Sequence, residues 1–395
     1  MTSRAEARRQ IDGVLRGAAA AREVPGVVAM AADAGGPVYE GAFGVRSLDG
    51  GPAMTLDTVC RIHSMTKAIT SVAAMQLVEE GTLSLDAPVP DIDPTLGAPL
   101  VLEGFDTAGA PLLRPARRPI TLRHLLTHTA GFTYEVWNAD TLRYVDATSA
   151  ARMMSGRVAA LRRPLMFEPG EKWEYGINID WVGRIIEAVA GQSLDAVLRE
   201  RIFAPLGMED TGFVPSPEQR ARQASIHQRQ ADGSLAPQPL PPLSTPEFYA
   251  GGGGLHSTAG DYLTFLRMLL HEGELVGVRI LKSETIAAMN RNQIGDIPAG
   301  IMRSCIPEVS NDVDFFPGAP LRWGLGYMIN MEPGPNGRSA GTVGWAGAGN
   351  LYYWLDPVRR VTGVIMTQIL PFADPAAVRL YGRFERGVYA LTEAG

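Results

Sequence analysis

The sequence predicts an α+β protein: strands from both ends of the chain share one antiparallel sheet, and the middle of the chain is mainly helical. Three observations carry this expectation. Strand-like runs at 27–31 and 38–43 flank the turn Asp33-Ala-Gly-Gly-Pro37, the pattern of a β-hairpin. Further short apolar runs at 326–331, 342–345, 352–355 and 363–369 recur at hairpin spacing in the last third. Between these ends, from residue 64 to about 270, apolar residues follow helical periodicity, interrupted by Pro- and Gly-rich connectors. The expected division is a sheet domain made of residues 1–60 and 275–395, a mainly helical domain of residues 61–274, and a cleft between them.

Taken in order, residues 4–22 read as a charged amphipathic helix that precedes the first hairpin. A helix over 64–80 follows, with Ile69, Val72, Leu77 and Val78 apolar and Gly81 as its stop. Residues 122–126, 179–190, 194–202 and 259–271 read as further helices. The stretch 231–254 is rich in Pro, Gln, Ser and Gly and ends in four consecutive glycines, so it reads as a long loop reaching a tight turn that lines a cleft. A helix over 375–391 closes the chain. There is no internal repeat.

Composition narrows the class. Hydrophobic residues make up 46% and charged residues 20% of the 395, as in globular domains. The net charge of −6 argues against a nucleic-acid partner. No apolar run has signal-peptide or membrane-spanning length, so a cytoplasmic protein with no membrane partner is expected. Two cysteines, Cys60 and Cys305, give no disulfide framework, and six dispersed histidines give no metal-ligand pattern. No metal or cofactor is expected. The sequence leaves the oligomeric state open.

The residues that suggest chemistry begin with a compositional bias. The chain has 33 arginines and only three lysines, and one lysine closes the tetrad Ser64-Met65-Thr66-Lys67. A guanidinium stays protonated, whereas a desolvated amine can lose its proton and act as a base. On a helix, positions i and i+3 share a face, so Ser64 and Lys67 have the layout of an activated nucleophile. Ser64 is expected in the first turn of its helix, where free N–H groups favour negative charge. A second element, Glu174-Tyr175-Gly176-Ile177-Asn178, offers a tyrosine that can work as a base beside a cation. A third, Gly344-Trp345-Ala346-Gly347-Ala348-Gly349-Asn350, places small residues where a substrate carbonyl can approach strand backbone.

Successive blocks of this chain resemble the family VIII carboxylesterases, relatives of class C β-lactamases and penicillin-binding proteins. They are Arg61-Ile-His-Ser-Met-Thr-Lys67, Thr121-Leu-Arg-His-Leu-Leu-Thr-His-Thr-Ala-Gly131 and Phe167-Glu-Pro-Gly-Glu-Lys-Trp-Glu-Tyr175. Pro205-Leu-Gly-Met-Glu-Asp-Thr-Gly-Phe213 and Gly251-Gly-Gly-Gly-Leu-His-Ser-Thr258 continue the series. The resemblance implies a β-lactamase/transpeptidase-like fold, with Ser64 as acylated nucleophile and Lys67 with Tyr175 as a coupled base system. It also implies Ser64 N–H and Ala348 N–H as oxyanion donors.

Departures from the β-lactamase pattern bear on the substrate. Ile177 occupies the polar position of the Tyr-x-Asn motif, and Trp345-Ala346-Gly347 replaces a Lys-Thr-Gly strand motif. Trp345 and Gly347 then border the substrate, with Trp345 an apolar wall suited to small uncharged esters. Phe132, Tyr134, Trp137, Phe248, Tyr249 and Trp323 sit in loops that can shape the pocket. Gly337-Arg338-Ser339-Ala340-Gly341 matches a Gly-x-Ser-x-Gly nucleophile elbow, but it follows Pro333-Gly-Pro-Asn336 and precedes a strand, so it reads as a hairpin loop. The leading expectation is a serine carboxylesterase. Acyl transfer to an alcohol on the same scaffold comes second, β-lactam, amide or peptide cleavage next, and a silent binding domain last.

Overall fold

The computed structural model describes residues 3–242 and 245–394, so residues 243–244 of the expected long loop lie outside the described residues. Its centre is a seven-stranded antiparallel sheet drawn from both ends of the chain. The first hairpin is β1 (Gly26–Asp33) and β2 (Gly36–Gly44). The later strands are β3 (Leu321–Trp323), β4 (Met328–Asn330), β5 (Val343–Gly347), β6 (Leu351–Asp356) and β7 (Val361–Met366). Their order across the sheet is β3-β4-β5-β6-β7-β1-β2, so the N-terminal hairpin completes the sheet by pairing β1 with β7. Strand β3 has no counterpart in the sequence reading; the other strands fall within a few residues of their expected places.

Both faces of this sheet are covered, which explains why β6 and β7 are buried at every position rather than at alternate ones. Successive side chains of β6 leave opposite faces. Tyr353 packs on Tyr262 of helix α4 (Ala259–Leu270), with ring centroids 5.3 Å apart, while Trp354 packs on Phe384 and Tyr389 of helix α5 (Pro375–Glu393). Helix α1 (Arg4–Ala20) lies against α5, so the two chain ends form one helical layer. Asp374 caps α5 by accepting the Ala376 and Ala377 N–H groups, with Pro375 in the first turn.

Helix α4 covers the other face, and helix α2 (Thr66–Glu79) has eleven buried residues spread around its circumference. A helix buried on all sides belongs in an interior. It ends before Gly81, whose φ is +73°. Helix α3 (Asn178–Ala190) packs on α2 and ends at Gly191 in the left-handed conformation. Among the described residues no helix is long and apolar enough to cross a membrane.

Three local expectations change. The helix expected over 194–202 is a chain of short segments, Leu194–Leu198, a π turn Arg199–Phe203 and Ala204–Leu206. Residues expected to be helix or connector form a hairpin, Leu100–Phe105 with Pro111–Pro115. Its prolines, which cannot donate to a ladder, mask the strand pattern. The 231–254 stretch is not wholly irregular either: Leu235–Pro237 pairs with His227–Arg229, which in turn pairs with Ile369–Leu370.

Candidate active site

Ser64 lies in a 3-10 turn, His63–Met65, immediately before α2, rather than in the first turn of the α-helix. The change preserves the geometry that matters. A 3-10 turn brings i and i+3 nearly into register, and Lys67 Nζ reaches Ser64 Oγ at 3.1 Å. Ser64 is partly exposed, whereas Lys67 is 0% exposed because it sits on the buried first turn of α2. The other two lysines, Lys172 and Lys282, are on the surface.

Besides Ser64, the Lys67 ammonium faces the Tyr134 hydroxyl at 3.2 Å and the Gly252 carbonyl at 2.6 Å, all neutral oxygens. Burial disfavours its charged form and lowers its pKa from 10.5 to about 7, an effect opposed by the negative charge of Asp180. Near neutral pH the amine is therefore poised to take a proton.

Tyr175 stands on the other side of this amine, with Lys67 Nζ 4.6 Å from the centre of its ring. It is 4% exposed, and burial pushes its hydroxyl well above the usual tyrosine range, partly countered by Ser64 and by Trp345. The indole Nε1–H of Trp345 donates to the Tyr175 hydroxyl at 2.9 Å. This corrects the reading of Trp345 as only an apolar wall. Its ring is buried, 4.7 Å from Trp323 and 4.9 Å from Tyr175, and its polar edge holds the tyrosine. A neutral N–H orients the phenol without supplying the cation that would favour tyrosinate. Of the two expected bases, the geometry favours Lys67.

The third expected element meets the nucleophile directly. A Cβ added to Gly347 would come within 2.4 Å of Ile62 O, so only glycine allows the end of β5 to lie against the backbone just before Ser64. Ala348, the next residue, is partly exposed beside that contact. This places the two N–H groups expected to hold an oxyanion on adjoining segments.

Sequence reasoning missed several participants. Tyr134 was assigned to pocket shaping, yet its hydroxyl bonds Lys67. His128 is buried in the left-handed region, packs 4.7 Å from the Tyr175 ring, and meets Asn178 Nδ2 at 3.0 Å through its Nδ1. Asn178 also donates to Phe132 O, so the polar side chain following Ile177 braces the Tyr175 loop. Ile177 is fully buried. Of the aromatics expected in loops, Tyr134, Trp137 and Trp323 surround Tyr175 at centroid distances of 5.4, 5.5 and 6.4 Å, and Trp323 lies in strand β3 rather than in a loop. Phe132 instead packs on Trp181, Tyr249 packs on Phe213, and Phe248 is buried. The Gly337–Gly341 segment is a hairpin loop between β4 and β5, as expected, with Ser339 N–H bonded to Asp356.

Comparison with known proteins identifies the family. The β-lactamase family profile matches residues 11–387. Monacolin J acid methylbutanoyltransferase of Aspergillus terreus is 33% identical, over 98% of this chain and 96% of the relative. Lovastatin esterase of Penicillium rubens is 31% identical, over 93% and 94%. The structure of unliganded simvastatin synthase from Aspergillus terreus superposes with a TM-score of 0.85 at 30% identity, covering 99% of this chain and 100% of that one. The chain belongs to the β-lactamase family and is a serine enzyme of that scaffold.

Proposed function

From membership of the β-lactamase family we propose that this protein is an acyltransferase, passing an acyl group from an uncharged ester to an alcohol through an acyl-enzyme on Ser64. The observation that carries the acyl-enzyme is the buried, neutral-prone Lys67 amine 3.1 Å from the partly exposed Ser64 hydroxyl. Lys67 takes the Ser64 proton as Oγ attacks the donor carbonyl, and the N–H groups of Ser64 and Ala348 receive the oxyanion. The departing alkoxide takes the proton back from Lys67, beside which stands Tyr175, its hydroxyl held from behind by Trp345. In the second half the acceptor alcohol gives its proton to Lys67 and attacks the acyl-enzyme, and Ser64 leaves with that proton.

Transfer ranks above hydrolysis for two reasons, reversing the order expected from sequence. The relative matched over nearly the whole chain is named as a methylbutanoyltransferase. Tyr175, beside the base, is also enclosed by Tyr134, Trp137, Trp323 and Trp345, aromatic surroundings that favour an organic alcohol over water. Hydrolysis is the second reading, supported by the similarity to a lovastatin esterase. The deciding experiment follows a short branched acyl ester with and without a panel of secondary alcohols. The transferase reading expects the new ester to exceed free acid and to disappear in Ser64→Ala. Free acid as the sole product with every alcohol would overturn it.

A further inference from the structure

Asp180 is a carboxylate that the reaction above does not use. It is 1% exposed, in the first turn of α3. A carboxylate at that position usually serves its own helix. Here no side chain caps α3, and Asp180 Oδ1 instead accepts the Gly252 N–H at 2.9 Å, across 72 residues of sequence. The second oxygen, Oδ2, is buried and has no hydrogen-bond partner among the described residues. A Cβ at Gly252 would come 2.5 Å from that oxygen, so the four-glycine turn is glycine here because the carboxylate occupies the space. The same Gly252 carries the carbonyl that receives Lys67 Nζ at 2.6 Å. Thr70, one turn along α2 from Lys67, ties down the neighbouring Gly251 carbonyl at 2.8 Å.

We propose that Asp180 is the positioning residue of the base: it fixes the glycine turn whose carbonyl holds Lys67, and it supplies the buried negative charge against which that amine gains and loses its proton. This rests on the reading of Lys67 as base. The groups around the amine leave Asp180 as its anion. Tyr134 and His128 face it from the loop before residue 138, Tyr175 from the segment before α3, and His63 from the 3-10 turn. Burial holds both tyrosines protonated and both histidines neutral. Behind Asp180, Glu135 and Arg163 form a buried ion pair at 2.8 Å and cancel one another. On balance burial raises the pKa of Asp180, partly countered by Lys67 and the Gly252 N–H.

The carboxylate favours protonated Lys67, so neutralising it lets the amine deprotonate at lower pH. Asp180→Asn keeps an oxygen for the Gly252 N–H and removes the charge. Because the chain has only three lysines, ¹³Cε-lysine NMR resolves Lys67 from Lys172 and Lys282, with Lys67→Arg to assign it. The titration needs no substrate, so it stands whether the enzyme transfers, hydrolyses or does neither. We expect Lys67 to titrate near 7 in the wild type and about one pH unit or more lower in Asp180→Asn. Near-ultraviolet circular dichroism that matches wild type reports an intact fold. A Lys67 titration in Asp180→Asn that coincides with wild type, with that spectrum native, would overturn the proposal.

Discussion

Lys67 and Arg338 are both buried cations, and what surrounds them is opposite in kind. Arg338, 3% exposed, is bonded to Glu385 and Tyr381 of helix α5, with the Phe316 ring 4.9 Å from its guanidinium carbon. Glu385 and nearby tyrosines raise its pKa, so its charge is permanent. Lys67 meets three neutral oxygens and no directly bonded carboxylate, and its pKa falls to about 7. A permanently paired cation joins sheet to helix. A buried amine with neutral acceptors can change its charge, and acid–base catalysis needs that property. The two regions also divide the two serine motifs: Ser64 adjoins Lys67, and the Gly-x-Ser-x-Gly decoy adjoins Arg338.

Substitutions that break this contrast should act very differently. Ser64→Ala should lower acyl-transfer turnover by roughly 10⁴-fold or more. Ser339→Ala should stay within about a factor of two. Equal losses in steady-state assays would dissolve the distinction. Lys67→Arg retains a cation that cannot deprotonate, and Ser64 acylation measured by stopped flow should fall by roughly 10³-fold. A Lys67→Arg variant that acylated normally would make Tyr175 the base. On the structural side, Glu385→Gln strands the Arg338 charge. Urea denaturation should show a loss of about 3 kcal/mol, while kcat per folded molecule is unchanged. Among the active-site substitutions the smallest loss belongs to Trp345→Phe, which removes the N–H donated to Tyr175 and should slow acylation by about tenfold. A neutral donor is lost, so the pH at which the rate rises should not move.

The sequence showed the parts of the site that lie close together along the chain. Ser64 and Lys67 were legible from an i, i+3 spacing that survives the substitution of a 3-10 turn for α-helix. The sheet was legible because each hairpin carries its own turn, and the pairing of β1 with β7 follows once the middle is helical. Tyr134 and Gly252 were not legible as partners of Lys67, nor Asp180 as the support of Gly252: each arrives from a different segment and is brought to the site only through packing. The four glycines signalled a tight turn at a cleft, but not the buried carboxylate that requires one of them. Trp345 was half legible. Its apolar ring suggested a wall, and the bond from its polar edge to Tyr175 spans 170 residues.

The central claim is that Lys67, as a neutral amine, takes the Ser64 proton. Its most direct test is the rate of Ser64 modification by a fluorophosphonate, followed by intact mass from pH 5 to 9. Below the Lys67 pKa the base is occupied by a proton. The rate should therefore climb about tenfold per unit at low pH, level off above about 7, and lose this dependence in Lys67→Arg. A rate independent of pH across that range, or a rise with pH that persists equally in Lys67→Arg, would contradict it.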